Sequence, residues 1–266
     1  MTRAAAVPRM GSPIWAELLS PDIEAATGFY RGLFGWTAEV LGVELGSYRI
    51  FRKHRCQVAG AMPATEAIRG HPPAWTTYFA VRDVDTFAAS VREAGGSVIA
   101  GPRDIMDLGR MAVLADPSGA KFCVWRPGTM RGAEVFNEPG TLCWNELITR
   151  DPEGARRFYT RVFGWDAKDN PLDHEGSYTE WYADTSRVGG LVPMRGDQWP
   201  PDIPSHWMVY FAVRDCEAAV DKAAELGGGV EVEPFDVRPG RVAVVSDPGG
   251  AHFSVIALNE GGELAG

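Results

Sequence analysis

Apolar positions along the chain switch between two periods. Ala26, Phe29, Tyr30, Leu33 and Phe34 fall at i, i+3, i+4, i+7 and i+8, which predicts one apolar helix face. Ser20-Pro21 supplies a capping residue and a first-turn proline ahead of that stripe, and Gly35 ends it. A short apolar strand around Trp15 precedes the helix, and strand-like runs at Tyr48–Phe51 and Val58–Met62 follow it. A second unit of the same kind comes next. Thr76–Val81 reads as a strand, Asp83 caps a helix ending at Gly95-Gly96, and strands near Met111–Ala115 and Lys121–Trp125 flank the turn Asp116-Pro117-Ser118-Gly119.

The whole pattern then repeats. Trp15-Ala16-Glu17-Leu18 returns as Trp144-Asn145-Glu146-Leu147, and Phe34-Gly35-Trp36 as Phe163-Gly164-Trp165, both 129 positions on. Tyr78 to Asp83 returns unchanged as Tyr210 to Asp215, and Asp116-Pro117 with Gly119-Ala120 as Asp247-Pro248 with Gly250-Ala251. The second helix is opened by Asp151-Pro152, carries Ala155, Phe158, Tyr159, Val162 and Phe163 on one face, and stops at Gly164. The chain is therefore a tandem duplication of the α+β class, four βαβββ modules in two pairs. The Gly- and Pro-rich stretch up to Gly140 has no apolar period, which sets the expected domains at 12–128 and 141–258 with a linker at 129–140.

Composition narrows the partners. A formal charge of -9 repels phosphate backbones, so no nucleic-acid partner is expected. No apolar run approaches the roughly 18 residues of a membrane-spanning helix. The segment from Met1 to Met10 lacks the apolar block of a signal peptide. Cys56, Cys123, Cys143 and Cys216 form no CxxC pair, consistent with free thiols in a reducing cytoplasm. The expected assembly is a monomer or a homodimer.

Four βαβββ modules, a Phe-Tyr helix, the Leu33-Phe34-Gly35-Trp36 helix end and the late segment from Gly109-Arg110 to Gly119-Ala120 resemble the vicinal oxygen chelate superfamily, and in particular its fused two-domain actinobacterial proteins. Arg110 and Arg241 hold corresponding places in that segment. The superfamily includes glyoxalase I, extradiol dioxygenases and fosfomycin- and bleomycin-resistance proteins. The resemblance implies two glyoxalase-like domains, each with a pocket on its concave sheet face. In metal-dependent members that pocket holds a divalent ion through His, Gln or Glu on the first and last strands of each module. Carried onto this chain, those positions fall on Trp15 and Trp144, Thr76 and Met208, Cys123 and Ser254, and within Val58–Met62 and Val188–Met194. Indoles, a thioether, hydroxyls and a thiol are a poor set for a hard cation, so neither a metal nor another cofactor is expected. One alternative stays open: His206, His252 and Glu146 each lie two residues from such a position and could form a displaced site in the second half.

Strand alternation places Trp15, Glu17, Tyr78, Lys121, Cys123 and Trp125 on one face, and Trp144, Glu146, Tyr210, His252, Ser254 and Ile256 on its counterpart, with His206 on the same side. Leu18, Phe79, Phe122, Leu147, Phe211 and Phe253 face the other way, toward the helices. An aromatic face with a few convergent polar groups is the profile of an organic-ligand pocket. The paired tryptophans could also simply fill the space of a lost metal site. Glu17 and Glu146, each beside an indole, are candidate general bases through a raised pKa, or structural acceptors. His54, His71 and His174 lie in polar surroundings and read as solvated; the segments 63–73 and 196–205 either rim the pockets or connect modules. Beside the plainer reading of a protein-interaction module, two functions follow. One is metal-independent binding of an aromatic or apolar small molecule, for drug sequestration or a natural-product accessory role. The other is a glyoxalase- or dioxygenase-like lyase or oxygenase.

Overall fold

The computed structural model describes residues 8–42, 46–65, 71–172, 176–197, 199–259 and 264; His174 lies outside them. The first half contains β1 (Pro13–Ser20), α1 (Ile23–Phe34), β2 (Thr37–Val40), β3 (Arg49–Lys53) and β4 (Cys56–Pro63). It continues with β5 (Ala74–Ala80), α2 (Val84–Glu93), β6 (Ser97–Ile105), β7 (Gly109–Ala115) and β8 (Lys121–Pro127). The second half repeats the order as β9 (Leu142–Thr149), α3 (Pro152–Phe163), β10 (Asp166–Leu172), β11 (Gly176–Ala183) and β12 (Ser186–Pro193). It ends with β13 (His206–Val213), α4 (Cys216–Glu225), β14 (Gly229–Val237), β15 (Gly240–Ser246) and β16 (His252–Leu258). These are the four βαβββ modules of the sequence pattern.

Helix starts follow local chemistry with one correction. Asp151 caps α3, with Pro152 in its first turn, and Asp83 caps α2. In α1 the cap is Asp22 rather than Ser20, so Pro21 precedes the cap instead of standing in the first turn: the Asp22 carboxylate accepts from the amides of Glu24 and Ala25, while Ser20 closes β1 and accepts from the Asp22 amide. An aspartate reaches the first-turn amides as well as a serine does and adds a charge that favours the helix N-terminus. Gly35 and Gly164 end α1 and α3 at φ 72°, a conformation that costs glycine nothing.

Each half forms one eight-stranded sheet, in the order β2-β3-β4-β1-β5-β8-β7-β6 and its repeat β10-β11-β12-β9-β13-β16-β15-β14. Inside a module the first and last strands run parallel; the two modules join antiparallel through β1–β5 and β9–β13. The helices lie between the sheets. One core packs α1 and the first module against α4 and the fourth, joining Phe29, Tyr30 and Trp36 to Phe211, Ala223 and Phe253. The other packs the second module against the third, joining Phe79 and Phe122 to Phe158, Tyr159 and Trp165. Modules thus pair within a half through strands and between halves through helices.

Two motifs that looked independent in the sequence meet across this interface. The Tyr30 hydroxyl donates to Asp247 Oδ2 at 3.0 Å and accepts from Trp75 Nε1 at 2.8 Å. In the mirror arrangement Tyr159 donates to Asp116 Oδ2 at 3.1 Å and accepts from Trp207 Nε1 at 2.8 Å. Each aspartate uses its other oxygen to accept two amides of its own turn. The buried polar groups of helix, strand and turn are therefore satisfied only when both halves are present.

Candidate functional site

With the helices between the sheets, the opposite faces of both sheets point away from the interface. On the first, β1 places Trp15 and Glu17, and β5 places Tyr78 opposite Trp15. Glu17 accepts from the hydroxyls of Tyr48 at 2.7 Å and Tyr78 at 2.8 Å, while Trp15 Nε1 donates to Tyr48 at 3.1 Å. The second half builds the same network. Glu146 accepts from Tyr210 and interacts with the Tyr178 hydroxyl, to which Trp144 Nε1 donates at 2.8 Å. In each half one carboxylate is capped by two phenols and backed by an indole.

Glycine makes the network possible. Gly60 on β4 stands beside Glu17 in register, as Gly190 on β12 stands beside Glu146. A Cβ at Gly60 would collide with the Tyr48 hydroxyl, and one at Gly190 with the Tyr178 hydroxyl. Bare backbone at these two places lets each phenol lie down across the strand and reach the carboxylate. Tyr48, Tyr178, Gly60 and Gly190 escape a reading based on strand alternation alone. A signal was present, since Gly46-Ser47-Tyr48 returns as Gly176-Ser177-Tyr178.

Burial raises the pKa of both glutamates above the ordinary 4.5, with the tyrosine hydrogen bonds pulling the other way. Burial likewise raises Tyr48, Tyr78, Tyr178 and Tyr210 well above 10. The phenols therefore stay protonated and donate to the carboxylates.

The remaining candidates divide between the two faces. Tyr78, Cys123 and Trp125 are buried with Trp15 in one apolar cluster, covered by Met10, Leu41, Ile105, Leu108 and Met130. Ile14 joins it because a bulge in β1 between Pro13 and Trp15 breaks strict alternation, as Cys143 joins Trp144 at the matching irregularity in β9. On the second face Ser254 is fully buried beside Tyr210, and Ile148, Met194 and Met208 form an apolar patch on which Trp199 and Ile203 pack. The segment carrying Trp199 thus covers the site instead of running clear of it. His206 is half-buried and its Nδ1 lies 2.8 Å from the Pro204 carbonyl. His252 is exposed, 3.5 Å from Glu231. His54 and His71 are exposed.

The residues at the metal positions do not fit a divalent ion. Trp15 and Trp144 give their N–H groups to tyrosines, Gly60 and Gly190 offer no side chain, and burial keeps the Cys123 thiol protonated. The displaced set is not assembled either. Glu146 is held by its tyrosines, its strand partner Met208 stands on the strand toward β16, and His252 turns to Glu231. Among the described residues no group of three or more His, Cys, Asp or Glu side chains is arranged to hold a metal. Arg110 and Arg241 are likewise structural, pairing with Asp85 and Asp104 and with Glu217 and Asp236. No helix of the described chain is long and apolar enough to cross a membrane.

Comparison with known proteins follows the same lines. The sequence model of the Glyoxalase/Bleomycin resistance protein/Dioxygenase superfamily matches residues 13–124 and 136–255. Anthracycline biosynthesis protein DnrV of Streptomyces peucetius is 42% identical over 267 residues, covering 94% of each chain. A Mycobacterium tuberculosis protein provisionally named glyoxylase CFP32 is 41% identical over 254 residues, 93% of this chain and 95% of its own. The Mn(II)-bound glyoxalase of Novosphingobium aromaticivorans shares the fold at a TM-score of 0.64 and 16% identity, over 94% of this chain and 83% of that one. The chain belongs to the Glyoxalase/Bleomycin resistance protein/Dioxygenase superfamily, as two tandem glyoxalase-like domains in one polypeptide.

Proposed function

We propose that this protein binds an aromatic or largely apolar small molecule without a metal ion, in a natural-product accessory or drug-sequestration role. The observation that carries this reading is the tyrosine-capped glutamate on each outer face. It stands among the positions where metal-dependent relatives place their ligands, and it offers hydrogen bonds within an aromatic surround rather than open coordination sites. The name of DnrV, 42% identical along nearly the whole chain, supports a polycyclic aromatic ligand.

The test is a titration with an anthracycline, followed by quenching of tryptophan fluorescence, alongside metal content by elemental mass spectrometry. Saturable quenching that weakens roughly tenfold in Trp144→Ala, with metal far below one equivalent, is the expected result. Stoichiometric metal, or affinity unchanged in both Trp15→Ala and Trp144→Ala, overturns the reading.

A second reading, proton-transfer catalysis, is favoured by one feature. Glu146 is buried, its pKa is raised, and it is oriented by Tyr178 and Tyr210, which are the attributes of a general base. Under that reading Glu146→Gln abolishes turnover and spares binding; retained turnover removes Glu146 from the chemistry.

A further inference from the structure

Both outer faces carry a cover, and the two covers are counterparts in the repeat. After β8 the Gly128 amide donates to the Leu108 carbonyl at 2.8 Å, and after β16 the Asn259 amide donates to the Pro239 carbonyl at 3.0 Å. Gly128 and Asn259 are 131 positions apart, as are Asp116 and Asp247 of the preceding turns. Ala133 and Leu264 keep that spacing. Ala133 donates its amide to the Ile14 carbonyl at 2.7 Å and packs on the cluster of Ile14, Trp15 and Trp125. Leu264 is buried, 9% exposed, in the matching cluster of Cys143, Trp144 and Ile256. The leucine therefore takes on the second face the seat that Ala133 takes on the first.

The side chains that share the two clusters differ in a compensating way. On the first face the sheet itself supplies the bulk. Trp125 stands on β8 and its Nε1 donates to the Met130 carbonyl at 2.9 Å, so an alanine completes the cluster. On the second face β16 supplies the smaller Ile256, and the leucine makes up the volume. Close packing demands one filling or the other. The two fillings are not equally removable. β8 lies inside its sheet, between β5 and β7, so Trp125 cannot leave without breaking strand pairs. β16 ends at Leu258, and Leu264 stands six residues beyond it. That side chain can be withdrawn with the sheet intact, a local opening far below global unfolding.

We propose that Leu264 is the gate of the C-terminal face: seated, it covers Trp144 and Cys143, and displaced, it yields its place to an apolar ligand. Side chain and ligand compete for one surface, so the face binds only by giving up its own leucine. Affinity is reduced by the fraction of molecules in which the gate is shut. The inference rests on the small-molecule reading above for what enters, and on packing alone for the closure.

Two buried thiols report on the gate without any ligand. Cys143 is 3% exposed in the cluster of Leu264, and Cys123, also 3% exposed on the first face, is the control. Full-length protein and its variants Leu264→Ala and Leu264→Asp are treated with N-ethylmaleimide, and the labelled cysteines are located by peptide mass spectrometry. Labelling of a buried thiol follows the population of the open form. The expected result is Cys143 labelled about tenfold faster in Leu264→Asp, less so in Leu264→Ala, with Cys123 at its original rate. An anthracycline should bind Leu264→Ala roughly tenfold more tightly than the unaltered protein. A Cys143 rate unchanged in both variants, a rise shared by Cys123 in both, or an affinity no tighter in Leu264→Ala overturns the gate and leaves the small-molecule reading standing. Absence of saturable binding in every one of these proteins counts against the two together.

Discussion

The hydroxyl of Tyr30, on the first helix of the N-terminal half, donates to Asp247 in the last turn of the C-terminal half, 217 positions away. The same oxygen receives Trp75, so one phenol satisfies a buried donor and a buried acceptor from different sheets. Removing it leaves both unpaired. Tyr30→Phe, and independently Tyr159→Phe, should each lower unfolding free energy by about 1–3 kcal/mol. Urea unfolding followed by tryptophan fluorescence and by far-ultraviolet dichroism checks this. The two probes should also trace one coincident transition, because each apolar core contains residues of both halves.

A single methyl group tests the support beneath the carboxylate. Gly60→Ala places a Cβ where the Tyr48 hydroxyl lies, so that phenol must leave Glu17. The expected cost is about 1–3 kcal/mol in thermal or urea unfolding. Gly28→Ala is the matched control. Gly28 is exposed in α1 and a Cβ there meets nothing within 4 Å, so the same change should stabilise by about 0.5–1 kcal/mol.

Protonation of the buried glutamates sets a pH slope. The folded protein holds the Glu17 and Glu146 protons more tightly than the unfolded chain does, since burial raises both pKa values above 4.5. Their contribution is complete below that value and is lost as pH rises through the folded pKa. Glu146→Gln should therefore flatten the decline of stability with rising pH, measured as urea midpoints from about pH 4 to 9. An unchanged slope would place the carboxylate in an ordinary, solvated state. His206 acts in the other direction: its lowered pKa gives stability that is present above 6.5 and lost as pH falls.

The halves also differ at one buried contact. Thr77 Oγ1 donates to Asn145 Oδ1 at 2.6 Å across the interface, where the repeat has Val209 and Ala16 at the corresponding places. Thr77→Val alone should cost about 1–3 kcal/mol by leaving the amide unpaired. Combined with Asn145→Ala it should cost less than the sum of the two single changes, and a double-mutant cycle measures the coupling.

The sequence by itself determined the duplication, the sixteen strands and four helices of the repeated modules, and the side of each strand on which Trp15, Glu17, Trp144 and Glu146 stand. Each of these is a local property, written in periods of two and 3.6 residues and in the Gly and Pro that end the elements. The cap of α1 shows the limit even there, since Ser20 and Asp22 are both competent and the strand end took the serine.

Only the tertiary structure decided what meets what. Strand order and helix packing bring together residues remote in sequence, so periodicity could not show that Tyr30 belongs with Asp247 or that Tyr48 lies over Gly60 to reach Glu17. The same holds for the two faces. Their central residues read alike in the sequence, and only the structure shows the stretch from Gly128 to Ala133 held over the first by the carbonyls of Asp107, Leu108 and Ile14. That closure arises from backbone hydrogen bonds between segments apart in the chain, which no local pattern of side chains encodes.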